Sequence, residues 1–208
     1  MRAIMPQIKK EWYDQLIIVD GGSTDGTVEY ARENGYYIFQ QSKKGAGVAF
    51  LESMAKATGD IVIIFSPDGN SVPERIPELI EKMKEGYDVV ICSRYLDGAK
   101  SEDDDIVTAF GNKMFTGMVN LLYGAKVTDC LVMYRAYKKD IVERLGINTS
   151  AVSWGSQVLC RAAKKKMKIG EIPGDEPARI GGVRKMHPLK NGISELCMIL
   201  GERFRRSN

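Results

Sequence analysis

Short apolar runs that stop at polar turns alternate with stretches whose apolar residues recur every three or four positions, the pattern of strands alternating with helices. Ile17, Ile18 and Val19 are consecutive and β-branched, as in a strand buried on both faces, and the run stops at Asp20. Gly21 and Gly22 permit a tight turn and close ligand approach, and Thr24 or Asp25 caps a helix running to about Glu33. Tyr36–Gln40 reads as a second strand. Lys43-Lys44-Gly45 opens a helix on which Val48, Leu51, Met54 and Ala55 share a face, and Gly59 ends it. Asp60–Phe65 is the most apolar strand and gives way to the polar turn Ser66-Pro67-Asp68-Gly69-Asn70. A helix to Lys84 follows, with Ile76, Leu79, Ile80 and Met83 on one face, and then a strand at Tyr87–Cys92.

The second half is less regular. A loop from Arg94 to Asp105 carries the acidic run Glu102-Asp103-Asp104-Asp105, which reads as a solvated loop with helix-capping acids or as a contributor to metal binding. Helices are expected at about Thr108–Tyr123, Asp140–Leu145 and Trp154–Lys166, and a strand at Lys168–Ile172. Glu176–Lys190 is a Pro, Gly and basic loop in which Arg179, Arg184 and Lys185 suit a substrate-closing loop, an anionic lipid surface or plain solvation, and His187 is assigned no catalytic role. Repeated strand–helix units of this length predict an α/β fold, a mostly parallel sheet with helices on both faces. Ligands of such sheets gather at the strands' carboxyl ends. Exposed N–H groups after Asp20 favour an anionic or hydrogen-bonding ligand there, and Asp20 can accept bonds from a base or ribose.

At 208 residues, with no composition break or long linker, a single domain over 1–208 is expected. The net charge of +3 gives no argument for nucleic acid, but basic residues concentrate after Arg161, where a local anionic partner fits. Cys92, Cys130, Cys160 and Cys197 have no paired spacing and read as reduced thiols of a cytoplasmic protein. No apolar stretch approaches the length of a membrane span, and MRAIMPQIKKEW lacks the features of a signal peptide, so a soluble or peripheral protein is expected. Residues 186–208 form an amphipathic helical tail. Ile193, Leu196, Cys197, Leu200 and Phe204 share one face of it, with Lys190, Arg203, Arg205 and Arg206 nearby; such a helix packs on its own core or lies on a membrane surface.

Taken in order, these segments resemble the family 2 glycosyltransferases of GT-A (Rossmann-like) fold, particularly the polyprenyl (dolichol) phosphate sugar synthases. The landmarks are VDGGSTDGT at Val19–Thr27, KKGAG at Lys43–Gly47, SPDGNSVPE at Ser66–Glu74 and SRY at Ser93–Tyr95. TDCLVMYRAY at Thr128–Tyr137, EIP at Glu171–Pro173 and RIGG at Arg179–Gly182 follow. The resemblance implies transfer of a sugar from a GDP- or UDP-linked donor to an acceptor. It places Asp20, with Gly22 and Ser23, against the nucleotide and Lys44 near it. Asp68 stands at the second acid of the DXD element that holds a divalent metal, Mg or Mn, on the diphosphate, and Asn70 can add an oxygen ligand.

Three departures shape the expectation. The family's opening strand is missing, and MRAIMPQIKKEW looks like the end of the helix that follows it, so either the start is truncated or something else completes the sheet, a partner copy on the unpaired edge included. Ser66 replaces the first DXD acid, which should weaken metal affinity. The acid that deprotonates an acceptor hydroxyl in relatives lies near Trp154, yet Gly155-Ser156-Gln157 offers no carboxylate. A sugar hydroxyl needs such a base, whereas a phosphate monoester, with a second pKa of about 6, attacks already ionised. A polyprenyl phosphate is therefore the expected acceptor, held by Arg94 and Arg135 as guanidinium forks with Lys113 or Asn112 assisting, although either arginine could instead be structural. It would be reached from a membrane surface or through a membrane partner protein. A sugar-phosphate nucleotidyltransferase and a non-catalytic nucleotide or lipid-phosphate binding protein remain alternatives.

Overall fold

In a computed structural model of the protein, residues 1–180 and 188–205 are described. The strands are β1 (Ile17–Asp20), β2 (Tyr37–Gln40), β3 (Ile61–Ile64), β4 (Val89–Ser93), β5 (Arg135–Lys138) and β6 (Ile169–Pro173). The helices are α1 (Thr27–Glu33), α2 (Ala46–Lys56), α3 (Arg75–Lys84), α4 (Ile106–Tyr123), α5 (Ile141–Leu145), α6 (Trp154–Lys164) and α7 (Pro188–Phe204). Ahead of β1 the chain makes two short 3-10 turns, Met5–Gln7 and Lys10–Trp12, in place of the expected helix end. Pro6 withholds an amide donor from that stretch, and Ile4 and Met5 are buried in it.

The α/β class expected from the pattern holds, and the sheet is mixed instead of mostly parallel. β1 and β2 pair in parallel as a sheet of their own, with Ile17 opposite Tyr37. The other four strands have the order β3-β5-β4-β6, in which β4 and β6 are parallel and β5 runs against both neighbours. The reversal follows from where the chain re-enters. β4 leaves the sheet at Ser93, and after α4 the chain returns to that same end, where Ser93 Oγ lies 2.5 Å from Thr128 Oγ1 and Arg94 bonds Asp129. β5 therefore has to run back the opposite way.

Among the described residues β1 pairs only with β2, and β3 only with β5. The two strands nevertheless start side by side: the Gln15 side chain donates to the Lys56 carbonyl and accepts from the Thr58 amide.

The core lies around β4 and β5, where Val89, Val90, Ile91, Ala136 and Tyr137 are completely buried. Phe50 of α2 stacks on Trp154 of α6 at 3.9 Å, and Tyr137 packs against both rings. α7 packs on α4 and α6, but with an unexpected face. Ile199 is buried, and two carboxylates, Glu195 and Glu202, point inward with it. Glu202 is held there by Arg161 (Nε to Oε2 2.8 Å, Nη2 to Oε1 2.5 Å) and by the Gln157 amide. The apolar stripe Leu189, Ile193, Leu196, Leu200 and Phe204 faces outward as a result.

Candidate active site

A cavity of about 300 Å³ opens beyond the carboxyl ends of β3 and β4, bordered by Ser66, Asp68, Asn70, Arg94, Asp103, Glu176 and Arg179 among others. Asp68 reaches it because the chain turns sharply after β3. Gly69 takes a φ of +103°, open to glycine, and a Cβ there would come within 2.6 Å of the Ile180 side chain. Asp68 Oδ2 pairs with Arg179 Nη1 at 3.0 Å, and Arg179 Nη2 reaches Asp103 Oδ2 at 3.3 Å. The Asn70 side-chain amide donates to Glu176 at 3.4 Å. Among the described residues no group of three or more His, Cys, Asp or Glu side chains could hold a metal ion. A hard cation on a diphosphate needs only one or two carboxylates from the protein, and Asp68 and Asn70 carry oxygen donors of the kind such a cation takes. The guanidinium between Asp68 and Asp103 shows that this spot accepts positive charge.

Arg94 borders the same cavity, inside a cage of three carboxylates. Its Nε and Nη2 bond Asp129 at 2.7 and 3.1 Å, and Nη1 bonds Asp104 at 3.1 Å and Glu176 at 3.0 Å. Asp129 is fully buried and also accepts from Asn112 and from the amides of Leu131 and Val132. Burial alone would raise the Asp129 carboxyl, but the Arg94 charge and these hydrogen bonds hold it below the usual carboxylate range. Burial likewise works against the Arg94 charge, yet Asp129, Glu176 and Asp104 together raise its pKa further. The fork expected to clamp an acceptor phosphate is thus occupied by Asp129, and only Nη1 faces the cavity-side carboxylates.

Arg135 departs further from expectation. It is completely buried and gives its guanidinium to the carbonyls of Gly155 (3.0 Å) and Cys130 (2.6 Å), away from the cavity lining. A Cβ at Gly155 would lie 3.1 Å from that guanidinium, closer than an ordinary contact. Arg135 therefore ties β5 to α6 and has no place on a phosphate in this arrangement. Asn112 is buried in the Asp129 network, and Lys113 lies exposed on α4 beside Phe110 and Met114.

The residues expected at the nucleotide sit at the other sheet. Asp20 closes its own turn by accepting from the amides of Gly22 (2.9 Å) and Ser23 (3.0 Å). Burial pushes its carboxyl up, but the Ser23 and Gly22 hydrogen bonds outweigh that and lower it. Those two N–H groups are consequently spent on Asp20 and not offered to a ligand, while Ser23 and Lys44 are exposed. The glycines of the KKGAG segment have a packing reason: a Cβ at Gly45 or Gly47 would overlap the backbone of 149–151. Neither Asp20 nor Lys44 borders the cavity at Asp68.

The acidic run proves to be specific. Asp105 caps α4 through the Thr108 amide at 2.7 Å, as expected, while Asp104 and Asp103 belong to the Arg94 and Arg179 clusters. Asp129 and Glu176, which no spacing singled out, complete the cage. The second arginine, the lysine and the histidine of the basic loop, at positions 184, 185 and 187, and the arginine at 206 lie outside the described residues.

The model for glycosyl transferase family 2 matches residues 8–146. Among curated relatives, the low-salt glycan biosynthesis hexosyltransferase Agl6 of Haloferax volcanii is 28% identical over 166 residues, 77% of this chain and 39% of that protein. The dolichyl-phosphate hexose transferase of the same organism is 28% identical over 92% of this chain and 83% of its own length. Among solved structures, glucosyl-3-phosphoglycerate synthase from Mycobacterium tuberculosis, in complex with Mn2+, UDP and glucosyl-3-phosphoglycerate, superposes with a TM-score of 0.71 at 19% identity, covering 94% of this chain and 71% of that one. The chain thus spans well under half of the first relative, and the structural likeness speaks for the fold. The family match, two thirds of the chain long and laid over the cavity-forming turn after β3, places this chain in glycosyl transferase family 2.

Proposed function

We propose that the chain is the catalytic part of an inverting glycosyltransferase that moves a sugar from a GDP- or UDP-linked donor to a polyprenyl or dolichyl phosphate. Family membership supports sugar transfer, and the dolichyl-phosphate hexose transferase relative supports the acceptor class. The observation that carries the lipid assignment is the outward apolar surface leading from the cavity. α4 starts directly after the Asp104–Asp105 corner and exposes Ile106, Val107, Phe110, Met114 and Leu121, and α7, packed against it, exposes its own stripe. Lys113, Lys190, Arg203 and Arg205 lie exposed on the same two helices or at the end of α7. Apolar faces flanked by cations suit peripheral docking on an anionic membrane, and no described helix is long and apolar enough to cross one.

Within the cavity, Asp68 and the Asn70 side-chain carbonyl would hold a divalent cation, Mg or Mn, whose charge would offset that of the departing diphosphate. Each carboxylate around the cavity is engaged: Asp68 and Asp103 by Arg179, Glu176 by Arg94, and Asp175 by the Lys100 amide. Their oxygens already have partners within the protein, which favours an attacker that arrives ionised. Asp20 orders the β1 turn, where the nucleotide and Lys44 would meet.

Radiolabelled GDP-mannose, UDP-glucose and UDP-N-acetylglucosamine, each offered with polyprenyl phosphate and Mn2+ or Mg2+, test the reading. An organic-extractable labelled product with inverted anomeric configuration is expected. Its absence with every donor overturns the proposal. Ser66 and the pairing of Arg179 with Asp68 favour a second reading, a nucleotide-binding protein without turnover, which calorimetric binding without product would support.

A further inference from the structure

α7 sits on α4 and α6 through two buried glutamates, and the two are held in opposite ways. Glu202 lies against Arg161 and Gln157; burial works against its charge, but those bonds hold its carboxyl below the usual range. Glu195, two helical turns earlier, is equally buried at 5% exposure, and its Oε1 has no hydrogen-bond partner. Burial pushes the Glu195 carboxyl up, against the pull of the Ser156 hydroxyl and the Arg135 charge. Arg135 gives Nη1 and Nη2 to the carbonyls of Gly155 and Cys130, and its Nε, like Glu195 Oε1, has no partner, so the two do not pair. Among the described residues, the other titratable groups facing this spot are the Cys130 and Cys160 thiols, each pushed up by burial and so uncharged. Arg161 and Lys164 of α6 are engaged at the Glu202 end. α4 adds no charge: Phe115 faces Gly192, the Tyr123 hydroxyl donates to the Ile199 carbonyl, and its one charged residue, Lys113, is exposed.

We infer that Glu195 is seated as a neutral carboxylic acid and that its ionisation lifts the first half of α7, which makes this helix a proton-controlled hinge. As an acid, Glu195 donates its proton to Ser156 Oγ, and Ser156 keeps its own hydrogen on the Cys130 carbonyl, 3.4 Å away. That chain of donors runs one way and leaves no charge inside. Loss of the proton to water reverses it. The Ser156 hydroxyl then has to turn to the carboxylate, and a negative charge with a single hydrogen bond remains in a buried place, a burden that moving out to solvent relieves. The Arg161–Glu202 pair keeps the far end of α7 on α6, so the lift is confined to the residues ahead of it. Those residues carry Leu189 and Ile193 of the outward apolar stripe, so the proton also decides how that stripe is presented beside α4. Because the folded carboxyl lies above its ordinary value, the seat is at full strength in acid and weakens as pH rises through the raised value.

The test is hydrogen exchange of the whole chain between about pH 5 and pH 9, corrected for the intrinsic rate and read separately at the amides of Ser194 and Glu195 and at those of Leu200 and Gly201. Above the pH at which Glu195 titrates, protection of the first pair should fall by up to about tenfold per pH unit, the slope of one proton, while that of the second pair stays level. Glu195→Gln keeps the shape and cannot ionise, so its slope should be flat; Glu195→Met serves if the amide variant fails to fold. In the wild type the carbon-13 resonance of the Glu195 carboxyl should titrate above that of free glutamate. Titration at or below the free value, level protection at Ser194 and Glu195, or a slope retained in the variant overturns the inference. So does an equal slope at Leu200 and Gly201, which would mark release of the whole helix instead of a hinge. None of these measurements involves a sugar donor, an acceptor or lipid, so their outcome is independent of the transferase reading.

Discussion

Arg94 shows how a residue visible as a landmark can carry a role that its spacing does not disclose. Its charge is balanced by Asp129, Asp104 and Glu176, the outer two of which stand 72 positions apart in the chain, and a run such as Glu102–Asp105 looks solvated until folding brings cations to it. Arg94→Met would leave Asp129 fully buried and without its counter-charge, an arrangement that costs about 3–5 kcal/mol. Urea unfolding at neutral pH should show that loss. The same pair sets an acid limit. Because the folded-state Asp129 carboxyl lies below its ordinary value, its stabilising contribution is complete above about pH 4 and disappears as pH falls through the lower folded value. The wild type should therefore lose stability steeply below pH 4, and Arg94→Met, already deprived of the pair, should lose much less over that range. Equal acid slopes for the two proteins would contradict the assignment.

At the level of elements, the apolar runs of β1, β3 and β4 and the helical spacing of α2 and α3 were readable because burial and periodicity act locally. The direction of β5 was not, since it depends on the end of the sheet to which α4 delivers the chain. α7 shows the same limit: its apolar stripe is plain in the sequence, but which face turns inward was decided by the Arg161–Glu202 pair, a tertiary contact. Because Ile193 and Phe204 are 64% and 85% exposed, replacing both with Asp removes little buried surface and should change stability by less than about 1 kcal/mol. The same double change places two acids on the surface proposed to meet lipid. Co-sedimentation with vesicles containing anionic lipid should fall at least about tenfold, with an unaltered melting curve. Retained binding would remove α7 from the docking surface and leave α4 to account for it.

Across the whole molecule, the proposed functions are divided between two sheets of unequal strength. The Asp68 cavity stands on the four-stranded sheet, whose β4 is buried along its entire length, whereas the Asp20 turn stands on a two-stranded sheet whose Ile17, Ile18 and Val19 are only partly buried. A two-stranded sheet has little independent stability, so β1 and β2 depend on α1 and α2 for their order and should open without global unfolding. Hydrogen exchange should then separate the two. Amides of β1 and β2 are expected to exchange on the order of a hundredfold faster than those of β4, which should exchange only when the whole molecule unfolds. If the nucleotide bridges the Asp20 turn and the cavity as proposed, a nucleoside diphosphate with Mn2+ should slow exchange in β1 and β2 far more than in β4, because a ligand that binds only the closed form suppresses the opening. Protection confined to the loops around Asp68 would place the whole donor on the larger sheet and leave the Asp20 turn a structural corner.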